Sequence, residues 1–113
     1  MITSYTSGLL SEWIAATFLR LKLYTVLYKR YKTPVGEIDL ICKKNNTIVF
    51  FEVKYRKNLA SDHNIVHNKQ VHRIKNAALF FMARNSIYNN YDFRFDLLII
   101  KSKLSILHYQ NVW

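Results

Sequence analysis

Glycine occurs twice in this chain, proline once and cysteine once, and each shortage excludes something. With so few residues suited to tight turns, there is little material for long structured loops. A lone cysteine, Cys42, cannot close an internal disulfide, and no CxxC or CxxxH pair offers zinc-ligand spacing. Its apolar neighbours mark it as a packing residue. No internal repeat or low-complexity segment is present, so residues 1–113 are expected to form a single domain. The N-terminus lacks a charged start and a cleavage signal, and the apolar stretch from Leu9 to Leu23 is broken by Glu12, Arg20 and Lys22. That pattern is neither a signal peptide nor a membrane span. A soluble, cytoplasmic protein with no membrane partner is expected.

Acidic residues are the other scarcity. Seven Asp and Glu stand against seventeen Lys and Arg, a formal net charge of +10. Such an excess gathers polyanions near the surface and ties association to salt. Nucleic acid is therefore the expected partner, although a compositional lean toward Lys, Ile and Asn gives the same total without one. What the chain has in quantity is core material: half its residues are hydrophobic and 15% aromatic, so it folds and is no basic tail.

The pattern of apolar residues orders the elements. Ser7 or Ser11 is placed to cap a first helix ending near Leu23. Leu10, Ile14, Thr17 and Leu21 line one face; Leu9, Ala15, Ala16, Leu19 and Leu23 line the other, so a helix packed on both sides is expected. Three extended runs follow, Thr25–Tyr31, Glu37–Cys42 and Thr47–Arg56. Thr33-Pro34-Val35-Gly36 reads as the first turn and Lys43-Lys44-Asn45-Asn46 as a polar hairpin loop. The third run alternates: Val49, Phe51, Val53 and Tyr55 make one apolar face. Its other face begins with Ile48 and Phe50, then turns polar at Glu52, Lys54 and Arg56. A central strand opening onto something charged is expected. A second helix is expected from His67 to Arg84 with Val71, Ile74, Ala78 and Phe81 inward, then strands over Arg94–Ile100 and Leu104–Tyr109. The order is α-β-β-β-α-β-β, an α/β domain with one mixed sheet flanked by helices.

In so basic a chain the acids repay individual scrutiny. Glu12 lies in the row of Leu9, Ala15, Ala16 and Leu19; Asp39 lies between Ile38 and Leu40; Glu52 lies between Phe51 and Val53. A buried carboxylate costs several kcal/mol unless a cation or hydrogen bonds meet it. Ion pairs with Lys54, Arg56 or Arg20 would suffice. The alternative is convergence on a divalent cation, because Mg²⁺ prefers carboxylate oxygens and needs only one or two from the protein. The Glu52-Val53-Lys54 spacing favours the cation. In a strand, residues i and i+2 project to one side, roughly 6–7 Å apart, so one can hold the ion while the other faces the water or the phosphate. A divalent cation turns water into a usable nucleophile near neutral pH, and an ammonium steadies the charge that develops on phosphorus.

At these residues the chain resembles the PD-(D/E)xK nuclease superfamily. That superfamily has an acid on one strand, then (D/E)-x-K on the next, usually with a glutamate on the first helix. Asp39, Glu52-Val53-Lys54 and Glu12 match in order. Gly36-Glu37-Ile38-Asp39-Leu40-Ile41, with Val49-Phe50-Phe51-Glu52-Val53-Lys54-Tyr55-Arg56, further resembles the YraN family of small bacterial proteins. Lys69, Arg73-Ile74, Arg94-Phe95-Asp96 and the ending His108-Tyr109-Gln110-Asn111-Val112-Trp113 agree as well. The resemblance spans almost the whole chain. It implies a restriction-endonuclease-like fold related to Holliday-junction resolvases. It also implies a metal-dependent endonuclease in which Glu12, Asp39, Glu52 and Lys54 are catalytic and Asp39 and Glu52 bind Mg²⁺ or Mn²⁺. Branched or structured DNA would be the substrate ahead of RNA. Resolvase-like relatives pair as symmetric dimers, so a homodimer is among the expected partners. Two departures concern glycines: the family's glycine after the first helix is replaced around Leu23-Tyr24, and the one after Arg56 is missing.

Arg56 and Lys57 extend the charged face of the third strand and are expected to meet a backbone phosphate. So are Lys69, Gln70 and Arg73 at the start of the second helix, where a solvated face is the rival reading. Glu37 shares a face with Asp39 and either assists the cation or fixes the turn. His63, His67, His72 and His108 lack ligand spacing and are expected on the surface or in loops. Asp96 is expected to make a structural hydrogen bond. Two rivals to the nuclease remain: a nucleic-acid-binding module that does not cut, and an interaction protein in a DNA-processing assembly.

Overall fold

The computed structural model describes residues 4–56, 66–102 and 105–113. Helix α1 (Ser4–Leu21) leads into strands β1 (Thr25–Thr33), β2 (Gly36–Lys44) and β3 (Thr47–Tyr55). Helix α2 (Asn68–Arg84), a 3₁₀ turn at Ser86–Tyr88, β4 (Asp92–Ser102) and β5 (Ser105–Tyr109) complete the order. The expected α-β-β-β-α-β-β succession holds. The strands lie in chain order in one sheet, all neighbours antiparallel except β3 and β4. That parallel pair needs a crossover, and α2 supplies it.

The β1–β2 and β2–β3 hairpins each close on two residues. At the first, Thr33 pairs with Gly36, and its Oγ1 accepts hydrogen bonds from the N–H groups of Val35 (3.1 Å) and Gly36 (3.0 Å). Gly36 is required for a second reason: a Cβ there would lie 2.5 Å from the carbonyl oxygen of Arg73. The second turn of α2 thus packs directly on this hairpin turn, which fixes the helix over the start of β2. At the second hairpin Asn45 takes φ 54°, a left-handed conformation that asparagine tolerates. Lys43 and Lys44 belong to β2 and not to the loop.

The alternation of β3 sorts the core into two layers. Val49 and Phe51 join Leu40, Cys42, Leu98 and Ile100 beneath Ala15, Ala16 and Leu19 of α1. Ile48 and Phe50 join Ile41, Phe95 and the α2 residues Ile74, Ala77, Ala78 and Phe81. Each helix covers one face of the sheet. The two-sided packing expected for α1 is not found: Trp13 is 59% exposed and Leu21 79%. The sheet offers the helix one surface, and the two alanines let the helix settle close to it, leaving Leu10 and Leu21 of the opposite row in solvent while Ile14 packs half-buried at the edge of the core.

The end of α1 explains the first missing glycine. Tyr24 N–H reaches the carbonyl of Leu19 (2.9 Å) and Leu23 N–H that of Arg20 (3.0 Å), the pairing of a Schellman cap. Leu23 sits at the left-handed position with φ 72°, where a Cβ is penalised by roughly 1–2 kcal/mol. Its side chain is exposed and contributes little packing. Leu23→Gly is therefore expected to raise stability by about 1 kcal/mol, despite the entropy a glycine adds to the unfolded chain. An unchanged or lower denaturation midpoint counts against this account of the cap.

One irregularity positions the site. Tyr28 and Tyr31, three apart on β1, both place their rings on Phe81. Their partners Ile41 and Ile38, three apart on β2, both belong to the α2-side core. Residues three apart on a regular strand face opposite ways. Both strands therefore change face together, between these pairs, without changing register. Arg30, with φ 52°, lies in the β1 half of this twist, and Asp39 lies across from it in β2.

Candidate functional site

Beyond Leu40↔Phe51 the ladder between β2 and β3 stops, and the two strands part. Asp39 occupies the fork. Its Oδ2 accepts a hydrogen bond from the backbone N–H of Val53 at 2.8 Å, so the side chain takes over the role of the missing ladder bond. Glu52, on the other arm, is buried, with its side chain 7% exposed. Its carboxyl is pushed up to about 8 from 4.5, first by burial, then by the nearby Asp39 carboxylate and a hydrogen bond with it; Lys54 pulls the other way. Burial and the neighbouring Asp39 carboxylate thus both disfavour the ionised form of Glu52. Lys54 Nζ lies 3.4 Å from Glu52 Oε1 and 3.4 Å from Oε1 of Gln70, in the first turn of α2. Strand β3 supplies the acid and the amine two residues apart, and α2 holds the amine in place.

Glu12 approaches from α1. Its side chain is 12% exposed and meets Arg30, with Nε 3.5 Å from Oε1. The same Nε stands 3.9 Å from Glu37 Oε1. Burial raises the Glu12 carboxyl, Arg30 lowers it, and the charges of Asp39 and Glu37 raise it again, so all three acids share one field. Four of the chain's seven acids therefore gather at one end of the sheet with Arg30 and Lys54 between them. Among the described residues, no three His, Cys, Asp or Glu side chains are already arranged to hold a metal ion. The centre is a carboxylate pair with a lysine, and Glu12 stands beside it, engaged by an arginine.

Residues 11–100 match the sequence profile of the Uncharacterised protein family UPF0102. The chain belongs to UPF0102. Over 111 residues it is 37% identical to a UPF0102 protein of Ehrlichia ruminantium strain Gardel, covering 96% of this chain and 84% of that one. A UPF0102 protein of a Chelativorans species is 36% identical over 110 residues, 97% of this chain and 89% of the relative. One from Mesorhizobium japonicum is 34% identical over 110 residues, 97% and 88%. UPF0102 is the YraN family, which the GEIDLI and VFFEVKYR segments of the sequence resembled.

The other expected contact residues of this UPF0102 protein are placed unevenly. Gln70 reaches the centre through Lys54. Lys69 and Arg73 are exposed on the first turns of α2, whose start carries no acidic residue and no side-chain cap. Arg56 Nη1 donates to the carbonyl of Tyr55 at 2.8 Å. Lys57 lies outside the described residues, as does His63.

Two residues escaped the reading of the sequence. Arg30 is one, although counting back from the Thr33–Gly36 turn sets it opposite Asp39. His108 is the other: it was expected on the surface, yet its side chain is 6% exposed, and Nε2 lies 2.8 Å from Asp96 Oδ2. Lys22 Nζ, which can only donate, lies 3.0 Å from Nδ1, so Nε2 carries the proton given to Asp96. The pairing of β4 with β5 brings these two together, and no local pattern announces it. No helix among the described residues is long and apolar enough to cross a membrane.

Proposed function

We propose that this UPF0102 protein is a divalent-cation-dependent endonuclease that hydrolyses phosphodiester bonds in nucleic acid, structured or branched DNA ahead of RNA. The observation that carries the reading is the Asp39–Glu52 pair, two neighbouring carboxyls in a protein of charge +10, with the Lys54 ammonium 3.4 Å from Glu52.

The donor set suits Mg²⁺ or Mn²⁺. Hard cations take carboxylate oxygens and keep several waters, so two protein carboxylates suffice. Burial and the Asp39 charge both disfavour the ionised form of Glu52, and a double positive charge in that place would relieve both. Asp39 and Glu52 would hold the ion, and Glu12 would complete its surroundings directly or through water. When bound, the cation supplies acidified water and neutralises phosphate charge. Lys54, steadied by Gln70, would orient the attacking water and stabilise the negative charge that builds on the phosphate. Arg56, Lys57, Lys69 and Arg73 would hold the backbone on either side, helped by the positive end of α2.

A homodimer belongs to the same reading, since two sites related by a twofold axis suit two strands of a branched substrate. Trp13, Ile14, Thr17, Phe18, Leu21 and Ile106 line an open apolar groove of about 190 Å³ on the α1 side. Sedimentation at several concentrations tests the dimer. The test of the site is calorimetric titration with Mn²⁺. The wild-type chain should bind with a stoichiometric heat, and Glu52→Gln should weaken that binding at least about 10-fold. Equal affinity in the two proteins ends the proposal. Salt-sensitive DNA binding without cleavage in any cation would instead select the binding module, and absence of DNA binding the interaction protein.

A further inference from the structure

We propose that Arg30 couples cation entry to phosphate binding: it holds Glu12 and Glu37 in the cation-free protein and passes to a phosphate of the substrate backbone once the cation draws Glu12 away. The inference rests on the nuclease reading above and names the residue that links its two ligands.

The argument starts from the backbone. Arg30 has φ 52° in the middle of a strand, a conformation that is costly for any residue with a Cβ. Glycine would adopt it freely, and the twist shared by β1 and β2 at this point asks only for that backbone. The backbone alone assigns no role, since the exposed Leu23 bears the same cost at φ 72°; the contacts of Arg30 do. One nitrogen faces Glu12 at 3.5 Å and Glu37 at 3.9 Å, longer than the roughly 2.7–2.9 Å of a tight charge-assisted bond. The Arg30 side chain is 36% exposed, whereas the Glu12 side chain is only 12% exposed. An arginine that reaches solvent and is shared between a buried carboxylate and a second acid is placed to meet an arriving anion. Asp39 lies directly across the hairpin, so the exchange occurs at the rim of the cation site. Arginine suits the second role because its planar fork matches phosphate oxygens.

The charges make the exchange one of linked steps. Without a cation, Arg30 is the positive charge nearest to Glu12 and cannot leave without stranding it. With a cation present, Glu12 has another partner, and Arg30 becomes excess positive charge at the point where the polyanion arrives. Cation and nucleic acid should therefore bind with positive coupling that depends on this residue.

The experiment measures the affinity of fluorescent branched DNA, annealed from four oligonucleotides, by anisotropy in EDTA and in Ca²⁺. Wild-type protein, Arg30→Gly and Arg30→Lys are compared over a range of salt. Wild type should bind more tightly in Ca²⁺. Arg30→Gly should match wild type within about 2-fold in EDTA and be about 10-fold weaker in Ca²⁺. Its salt slope should fall by about one, in Ca²⁺ only. Arg30→Lys should retain part of the gain. Glycine relieves the backbone but leaves Glu12 without its counter-charge, so binding is read on samples shown to be folded by circular dichroism; equal weakening of binding in both buffers overturns the proposal. Wild-type DNA affinity indifferent to Ca²⁺ while Mn²⁺ still binds at Glu52 also overturns it and leaves the nuclease reading standing. Absence of Mn²⁺ binding removes both.

Discussion

Asp39→Asn should abolish cation-dependent cleavage, lowering kcat/KM by about 10³-fold or more, while leaving the protein as stable as wild type or more so. The substitution is chosen for what it keeps. An asparagine oxygen still accepts the Val53 N–H bond that closes the fork between β2 and β3, so the strands have no reason to separate further. What it removes is a charge next to Glu52, whose carboxyl is pushed up by burial and by Asp39. Loss of that repulsion favours the folded state, whereas loss of a cation ligand should remove most of the charge neutralisation at the phosphate. Lys54→Ala should cost less, about 10²–10³-fold, because one preorganised charge is worth about 3–4 kcal/mol in the transition state. Single-turnover cleavage of branched DNA in Mn²⁺, paired with urea denaturation of the same samples, reads both quantities. If Asp39→Asn cuts at the wild-type rate, the pair is not a catalytic centre. If it unfolds early, Asp39 serves the fork alone.

The parts of this picture that were legible in the sequence are those governed by local periodicity. The two-residue alternation of β3 set apart its apolar and polar faces, and the structure uses both, one beneath each helix. The 3.6-residue pattern of α2 named Val71, Ile74, Ala78 and Phe81 as inward; the last three are buried and Val71, near the helix start, is half-buried. Periodicity failed for α1 because apolarity reports what can be buried, not what a neighbour arrives to cover. The site was half legible. Asp39, Glu52 and Lys54 stood out as charged residues inside apolar runs, and they do meet. Glu12 stood out in the same way, but its partner is Arg30, which sits among exposed lysines on an edge strand and carries no such mark. Its place follows only from pairing β1 with β2. Leu23 shows the converse: the sequence revealed a missing glycine, and the structure shows that the backbone kept the glycine's conformation regardless.

Asp96 should prove to be the residue whose loss costs the fold most, although it is remote from cleavage chemistry. Its side chain is fully buried on β4. It accepts from Arg94 Nε at 3.0 Å, from His108 Nε2 at 2.8 Å and from the backbone N–H of Asn111 at 2.9 Å. Arg94 in turn donates to the Tyr24 hydroxyl at 2.8 Å, and the Tyr24 and His108 rings both pack against Phe51. One carboxylate thus ties together the cap of α1, the parallel strand pair, β5 and the segment that follows it. Asp96→Ala leaves a guanidinium, an imidazole and an amide without their shared acceptor, and breaking a buried ion pair from one side costs about 3–5 kcal/mol. With Arg94 partly in solvent, the lower end of that range is expected, a drop of more than about 1 M in the urea midpoint. Asp96→Asn retains an acceptor for Asn111 and should lose less. The pH dependence follows from the sign of the shift. Burial raises the Asp96 carboxyl, but the bonds from His108, Arg94 and Asn111 together outweigh it, and the net effect holds it below 3.8. A carboxyl lowered by folding stabilises the protein above its unfolded value and loses that contribution as pH falls through the folded one. Wild-type stability should therefore fall below about pH 4, and the wild-type advantage over Asp96→Asn should shrink in the same window. An advantage that stays constant from pH 6 to pH 3 would show that the carboxylate's charge does not hold these elements together.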